Sequence, residues 1–211
     1  MPHMMIRRHL LAACVAATMG PVLLGLAAAP AAAQFSDSYN FLNAVRQSDG
    51  AKATKALEGN GATMVNTRDY STGETALMIT IKRRDLTWSS FLLGKGANPN
   101  VRDAQGNAPL HAAALLGFTE GAELLLGRNA QVNMANNSGE TPLIIAVQQR
   151  NVPMVRLLLM NGADPKIADR IAGKSARDYA SEDPRGSAVL KVIDETKSTV
   201  APKKNIAGPG L

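Results

Sequence analysis

The sequence is poor in the residues that most small-molecule chemistry needs. Of 211 residues one is cysteine, Cys14, and it lies near the N-terminus. The chain beyond it can form no disulfide, no thiolate nucleophile and no cysteine-containing metal site. Histidine is nearly as scarce: His111 is the only one after position 9. A single histidine without cysteine excludes a zinc site of the usual composition. As a general base, His111 would need an activated partner within hydrogen-bond reach, and the carboxylates are scattered over turns with no recurring pair. Aromatic residues make up 4% of the chain against 45% hydrophobic residues overall. That balance suits helices packed through small side chains and disfavours a β-sandwich, which requires many aromatic and β-branched positions. Gly59-Asn60-Gly61 lacks the third glycine, the lysine and the preceding strand of a phosphate loop, and reads as a helix end. No enzyme signature, cofactor site or metal site emerges, and stability must come from packing alone.

The first 33 residues have a different character from the rest. Arg7 and Arg8 precede an apolar stretch from Leu10 to Ala29, interrupted at Gly20-Pro21, and Ala31-Ala32-Ala33 ends it just before Gln34. A positive start, an apolar middle and a small-residue site predict a secretory signal cut between Ala33 and Gln34. The expected location is therefore periplasmic or secreted, in a bacterium. Paired arginines fit a twin-arginine signal as well as a Sec signal, and Sec export is favoured. Leu11-Ala12-Ala13-Cys14 has the outline of a lipobox, but it opens the apolar stretch where a lipobox should close it. An uncleaved anchor is the other alternative, since about 20 apolar residues can span a bilayer. Without Arg7 and Arg8, 21 basic and 17 acidic residues remain, a net +4 spread along the chain. This is no nucleic-acid footprint.

A period of 33 residues organises the remainder. Gly73, Gly106, Gly139 and Gly173 recur in register. Each follows a polar turn and precedes a helix-start step: Glu74-Thr75-Ala76-Leu77, Asn107-Ala108-Pro109-Leu110, Glu140-Thr141-Pro142-Leu143 and Lys174-Ser175-Ala176-Arg177. Thr-Pro suits a helix start, with the hydroxyl capping free N–H groups and proline at the first position. First helices are expected over residues 109–116 and 142–150. Second helices end in Phe91-Leu92-Leu93, Leu124-Leu125-Leu126 and Leu157-Leu158-Leu159, and the Gly-Ala-Asn/Asp step, Gly96-Ala97-Asn98 and Gly162-Ala163-Asp164, stops them through a left-handed glycine, with Asn129-Ala130-Gln131 at the matching place. Trp88 falls at an apolar position of a second helix and predicts packing between repeats.

These motifs resemble the ankyrin repeat, most clearly at Ala108-Pro109-Leu110-His111-Ala112-Ala113. The expected fold is an all-α solenoid of helix–turn–helix units with hairpin-like fingers. Residues 34–196 form the repeat domain, with units at about 38–68, 69–102, 103–135, 136–168 and 169–196, the first and last acting as caps. Residues 197–211 are expected to be a disordered tail. The resemblance gives His111 a structural role, bonding loop backbone between repeats. Asn136-Asn137-Ser138 fits a glycosylation sequon but sits on a finger.

The resemblance also implies partner binding through a concave face made from finger tips and the exposed positions of the first helices. Carried onto this chain, the finger positions are Arg68, Asp69, Tyr70, Arg102, Gln105, Asn136, Asn137 and Arg170. The helix positions are Lys82 and Arg83, Leu115 and Leu116, then Gln148 and Gln149. A basic end, an apolar middle and a neutral polar end predict a protein partner with an acidic patch and an apolar anchor. The bland alternative is that the charges confer solubility and Leu115 packs between repeats. A single-copy, non-catalytic adaptor or regulator in the periplasm is the expectation; a membrane-tethered scaffold, held by an uncleaved signal or a lipidated Cys14, is the alternative.

Overall fold

The computed structural model describes residues 29–58 and 61–199. The expected leader lies mostly outside that set, as do Cys14, Asn60 and the tail beyond residue 199. The expected junction Ala33-Gln34 lies within the backbone of the first helix, α1 (Ala29–Arg46). That helix starts N-terminal to the expected domain boundary.

Five helix pairs follow one another. They are α1 with α2 (Gly50–Ala56), α4 (Ala76–Lys82) with α5 (Leu86–Gly94), and α6 (Pro109–Leu116) with α7 (Thr119–Leu126). The last two are α8 (Pro142–Gln148) with α9 (Val152–Met160), and α10 (Ala176–Glu182) with α11 (Ser187–Thr199). A single turn, α3 (Gly61–Met64), follows α2 and was not foreseen. First helices pack in one layer and second helices in another. Two boundaries shift from expectation. Arg150 takes φ 53, which ends α8 at Gln148 rather than at residue 150. α11 runs three residues into the expected tail.

Local chemistry explains the punctuation. The hydroxyls of Thr75 and Thr141 each accept the N–H three residues on at 3.3 Å, closing the start of α4 and α8. Ser175 does the same for Asp178, whose carboxylate accepts the Ser175 N–H at 2.9 Å, a reciprocal cap on α10. Second helices are capped by Asp49, Asp85 and Asn151. The turn between the two helices of a unit holds one left-handed residue: Ser48, Arg84, Gly117 and Arg150 in successive units. Second helices end as expected, with Gly96, Asn129 and Gly162 at φ 89, 63 and 87.

The core runs the length of the stack between the layers. Leu77, Ile81, Leu92, Leu110, Leu125, Leu143, Ile144, Met154 and Leu158 are fully buried, and Ala112, Ala113, Ala114, Ala122 and Ala146 let the helices approach. Each fully buried leucine contributes about 2 kcal/mol relative to exposure, which is how an aromatic-poor chain holds its shape without cross-links. The caps behave as their sequences imply. Phe41, Leu42, Ala44 and Val45 of α1 are buried against the second unit. α11 buries Val189, Val192 and Ile193 and turns Arg177–Asp194 and Lys191–Glu195 pairs outward. Trp88 is half-buried, edge-on to Phe91 at 5.5 Å, and faces Gly50 of the preceding unit.

Two hydrogen-bond systems tie unit to unit. Fingers join through backbone bonds, Ala104 N–H to Thr72, Asn137 N–H to Gln105 and Arg170 N–H to Ser138, at 2.9–3.1 Å. At the far ends of the second helices, Asn66, Asn100 and Asn133 each reach into the next unit. Each amide donates to the carbonyl of residue 96, 129 or 162 and accepts the N–H of residue 98, 131 or 164.

Candidate binding face

The fingers begin with an acid or amide that folds inward. Asp69 accepts the backbone N–H groups of Ser71 and Thr72 and the Ser71 hydroxyl, and pairs with Arg46 at 2.7 Å. The Ser71 hydroxyl leads the interactions that hold its carboxyl well below the usual carboxylate range. Asp169 accepts the Tyr179 phenol at 2.7 Å, which lowers the acid and pushes the phenol up to about 12. Asn136 is buried and bonds Asn107 and Glu140. It is therefore no exposed finger residue and no open glycosylation acceptor, a correction whose physical cause is that an amide here must satisfy the turn's N–H groups, those of Ser138 and Glu140.

His111 is 1% exposed. Its Nδ1 accepts the Ala108 N–H at 3.1 Å, so Nε2 carries the proton and donates to the Glu140 carbonyl of the next unit at 3.2 Å. The ring thus serves the N–H of the N-cap residue, while the His111 N–H, which a hydroxyl would take at this position, bonds the Ala108 carbonyl. Burial pushes the imidazole pKa down, so the ring stays neutral.

The cations expected at the basic end are largely committed. Lys82 pairs with Glu74 at 2.5 Å. Arg83 donates to the Val45 and Arg46 carbonyls at the end of α1 and pairs with Asp85 at 3.0 Å. The neighbouring Arg84 donates to the Leu116 carbonyl of α6. Together these two side chains staple three first helices by their C-terminal carbonyls, where cations are favoured. Arg102 donates to the carbonyls of Gly106 and Ala135 at 2.9 Å and to Asn137. Asn137 in turn donates to the Ala104 carbonyl at 3.1 Å. Arg68 donates to the Gly73 carbonyl and remains exposed. Gln105, Gln149 and Arg170 are exposed, and Tyr70 projects from its finger with 98% of its surface open.

A regular feature emerges across this face. In three of the four units the residue after the finger glycine bonds the residue eight positions on, near the end of the first helix. Glu74 meets Lys82, Glu140 meets Gln148 at 3.3 Å, and Lys174 meets Glu182. In the third unit the same positions hold Asn107 and Leu115. Asn107 accepts from Asn136 instead, and Leu115 and Leu116 are left 57% and 37% exposed. The polar cross-links thus flank an apolar opening. Leu115 does not pack between repeats.

The Asn66, Asn100 and Asn133 contacts were missed at the sequence level, although their recurrence in the 33-residue register was a usable signal. Among the described residues no helix is long and apolar enough to cross a membrane.

Comparison with known proteins bears on what this face is. A family model described as ankyrin repeats (3 copies) matches residues 41–136 and 90–169. The chain is 31% identical over 123 residues to ANK repeat-containing protein nipk-1 of Caenorhabditis elegans, covering 51% of this chain and 20% of that protein. It is 50% identical over 84 residues to Arf-GAP with coiled-coil, ANK repeat and PH domain-containing protein 2 of Gallus gallus, covering 40% of this chain and 11% of that one. The chain spans a fifth or less of each, and both are animal proteins.

Proposed function

The chain belongs to the ankyrin-repeat family, a class of protein–protein interaction modules, and on that premise we propose that it is a non-catalytic adaptor or regulator. It is exported by residues 1–33 to the periplasm or cell exterior, and it binds a protein partner across the fingers and first helices. One observation carries the reading: the polar cross-links of this face are interrupted at Leu115 and Leu116, which stand open between them. An exposed leucine pair set between hydrogen-bonded polar pairs is the form of an apolar interface anchor with a polar rim. Tyr70 on its finger adds a second large contact group. Arg68 and the exposed part of Lys82 would receive acidic groups of the partner. The neutrality of buried His111 and its two backbone bonds favour a structural role over a catalytic one.

The test is site-specific photo-crosslinking in cells making the full chain, from position 115 and, as control, from position 156 on the opposite layer. Adducts to one protein from 115 alone support the reading, and equal labelling from both positions would sink it. Mass spectrometry of the purified protein tests the export half: an N-terminus at Gln34 agrees with it, while intact Met1 or lipidated Cys14 means the tethered alternative.

A further inference from the structure

The layer of second helices has a charge pattern that the binding face does not use. α5 carries no charged residue from Leu86 to Gly94, and Leu86, Thr87 and Ser90 of its surface are exposed. α2 lies on one side of it: a Cβ on Gly50 would stand 3.5 Å from the Trp88 ring, and Thr54 shares a groove with Trp88 and Phe91. α7 lies on the other, where Leu86, Thr87 and Ser90 share a groove with Glu120, Glu123 and Leu124.

Both flanks are exposed and opposite in sign. Counted from the N-cap residues Asp49 and Phe118, α2 and its end present Lys52, Lys55 and Glu58 at the third, sixth and ninth positions. α7 and its end present Glu120, Glu123 and Arg128 at the second, fifth and tenth. The two series are complementary in order, and each pair is offset by one residue, about 1.5 Å along a helix, the third in the opposite direction to the first two. Lys52 pairs locally with half-buried Asp49; the other five make no ion pair among the described residues.

We propose that this layer is the contact between two copies of the chain, related by a twofold axis running along α5. Rotation about such an axis sets α5 on its copy, with Leu86 and Thr87 against themselves, and lays each α2 over the other copy's α7. Lys52 then faces Glu120, Lys55 faces Glu123 and Glu58 faces Arg128, every pair occurring twice, as an isologous interface requires. Three helices about 10 Å apart and about 13 Å long offer roughly 350 Å² of footprint per copy, well under a stable interface of about 800 Å². The dimer is therefore weak and salt-sensitive, and it leaves the finger face free. The proposal is independent of the reading of that face.

The experiment is analytical ultracentrifugation of the full chain with two variants, Lys55→Glu and Glu123→Lys, neither of which removes an internal ion pair. Wild type is expected to approach twice the monomer mass at about 0.3 mM protein in low salt and to dissociate at about 0.5 M salt. Each variant alone meets two like-charge contacts and associates at least about tenfold more weakly. Their equimolar mixture makes a heterodimer of restored affinity, because each altered charge then meets its opposite. A wild type that stays monomeric in low salt overturns the proposal. So does a mixture that associates no better than either folded variant, folding being checked by circular dichroism.

Discussion

Replacing His111 removes a buried side chain that bonds the backbones of two units. In His111→Ala the Ala108 N–H, bonded at 3.1 Å, loses its partner, and the Glu140 carbonyl, bonded at 3.2 Å, keeps only the Asn136 N–H. The stranded N–H costs about 1–3 kcal/mol, and the vacated ring volume adds a cavity, giving about 2–4 kcal/mol in all. Urea unfolding followed by circular dichroism measures this directly; a loss below about 1 kcal/mol refutes the assigned bonds. The same residue sets a pH dependence. Its folded-state pKa is lowered, chiefly by burial, so below about pH 6.5 the unfolded chain binds a proton that the folded chain refuses. Stability is full above that pH and falls as the solution is acidified, by up to about 1.4 kcal/mol per pH unit. Asp69 and Asp169, whose pKa values are also lowered, act in the opposite ionisation sense. Their stabilisation is present above the ordinary carboxylate pKa of 3.8 and is lost only as pH falls below it. The interval from pH 5 to 7 therefore reports on His111, and His111→Gln, which cannot titrate, should flatten it. An unchanged slope in that variant would show that the ring is not kept neutral.

Gly139→Ala should cost more than Gly162→Ala in thermal unfolding. Both sit at positive φ, worth about 1 kcal/mol to any other residue, but only at 139 would the new methyl meet the Arg170 backbone nitrogen, at 2.5 Å. Equal losses would mean the finger gives way easily. Asn100→Ala removes two bonds into the next unit and should lower stability by about 2 kcal/mol, whereas Asn98→Ala, which loses a single local bond, should cost half as much or less. Tyr179 should ionise near pH 12 by ultraviolet titration, and Asp169→Asn should bring that transition down; no change would separate the phenol from the acid.

The periodic positions told most of the fold before any coordinates. Thr75 and Thr141 act through a hydroxyl on backbone three residues away, and Gly96 and Gly162 through their own backbone, so their roles follow from residue type and spacing. α6 begins and ends where Pro109 and Gly117 place it. What the sequence hid were contacts between residues about 30 apart. Arg83 read as a free surface cation because nothing local shows that the end of α1 offers it two carbonyls. Asn136 read as a finger tip because finger amides fold back only when turn N–H groups need them. Leu115 was legible as one half of the site, but nothing local shows that Asn107, eight positions before it, bonds the next finger.

The three asparagine tethers run in one direction, each anchoring the unit ahead of it, and the last to do so is Asn133. Lys166 stands at the next position of the series, and α11 continues as helix to Thr199 without offering it a Gly-Ala turn. The fifth unit is thus fastened by its finger, by packing and by Arg150–Asp183, without the lock its predecessors share. Under mechanical load, or in the slow breathing that hydrogen exchange records, the stack opens from this end first. Its amides will trade with solvent while those of α6 and α8 remain closed, so the order in which units are lost runs from the C-terminus inward.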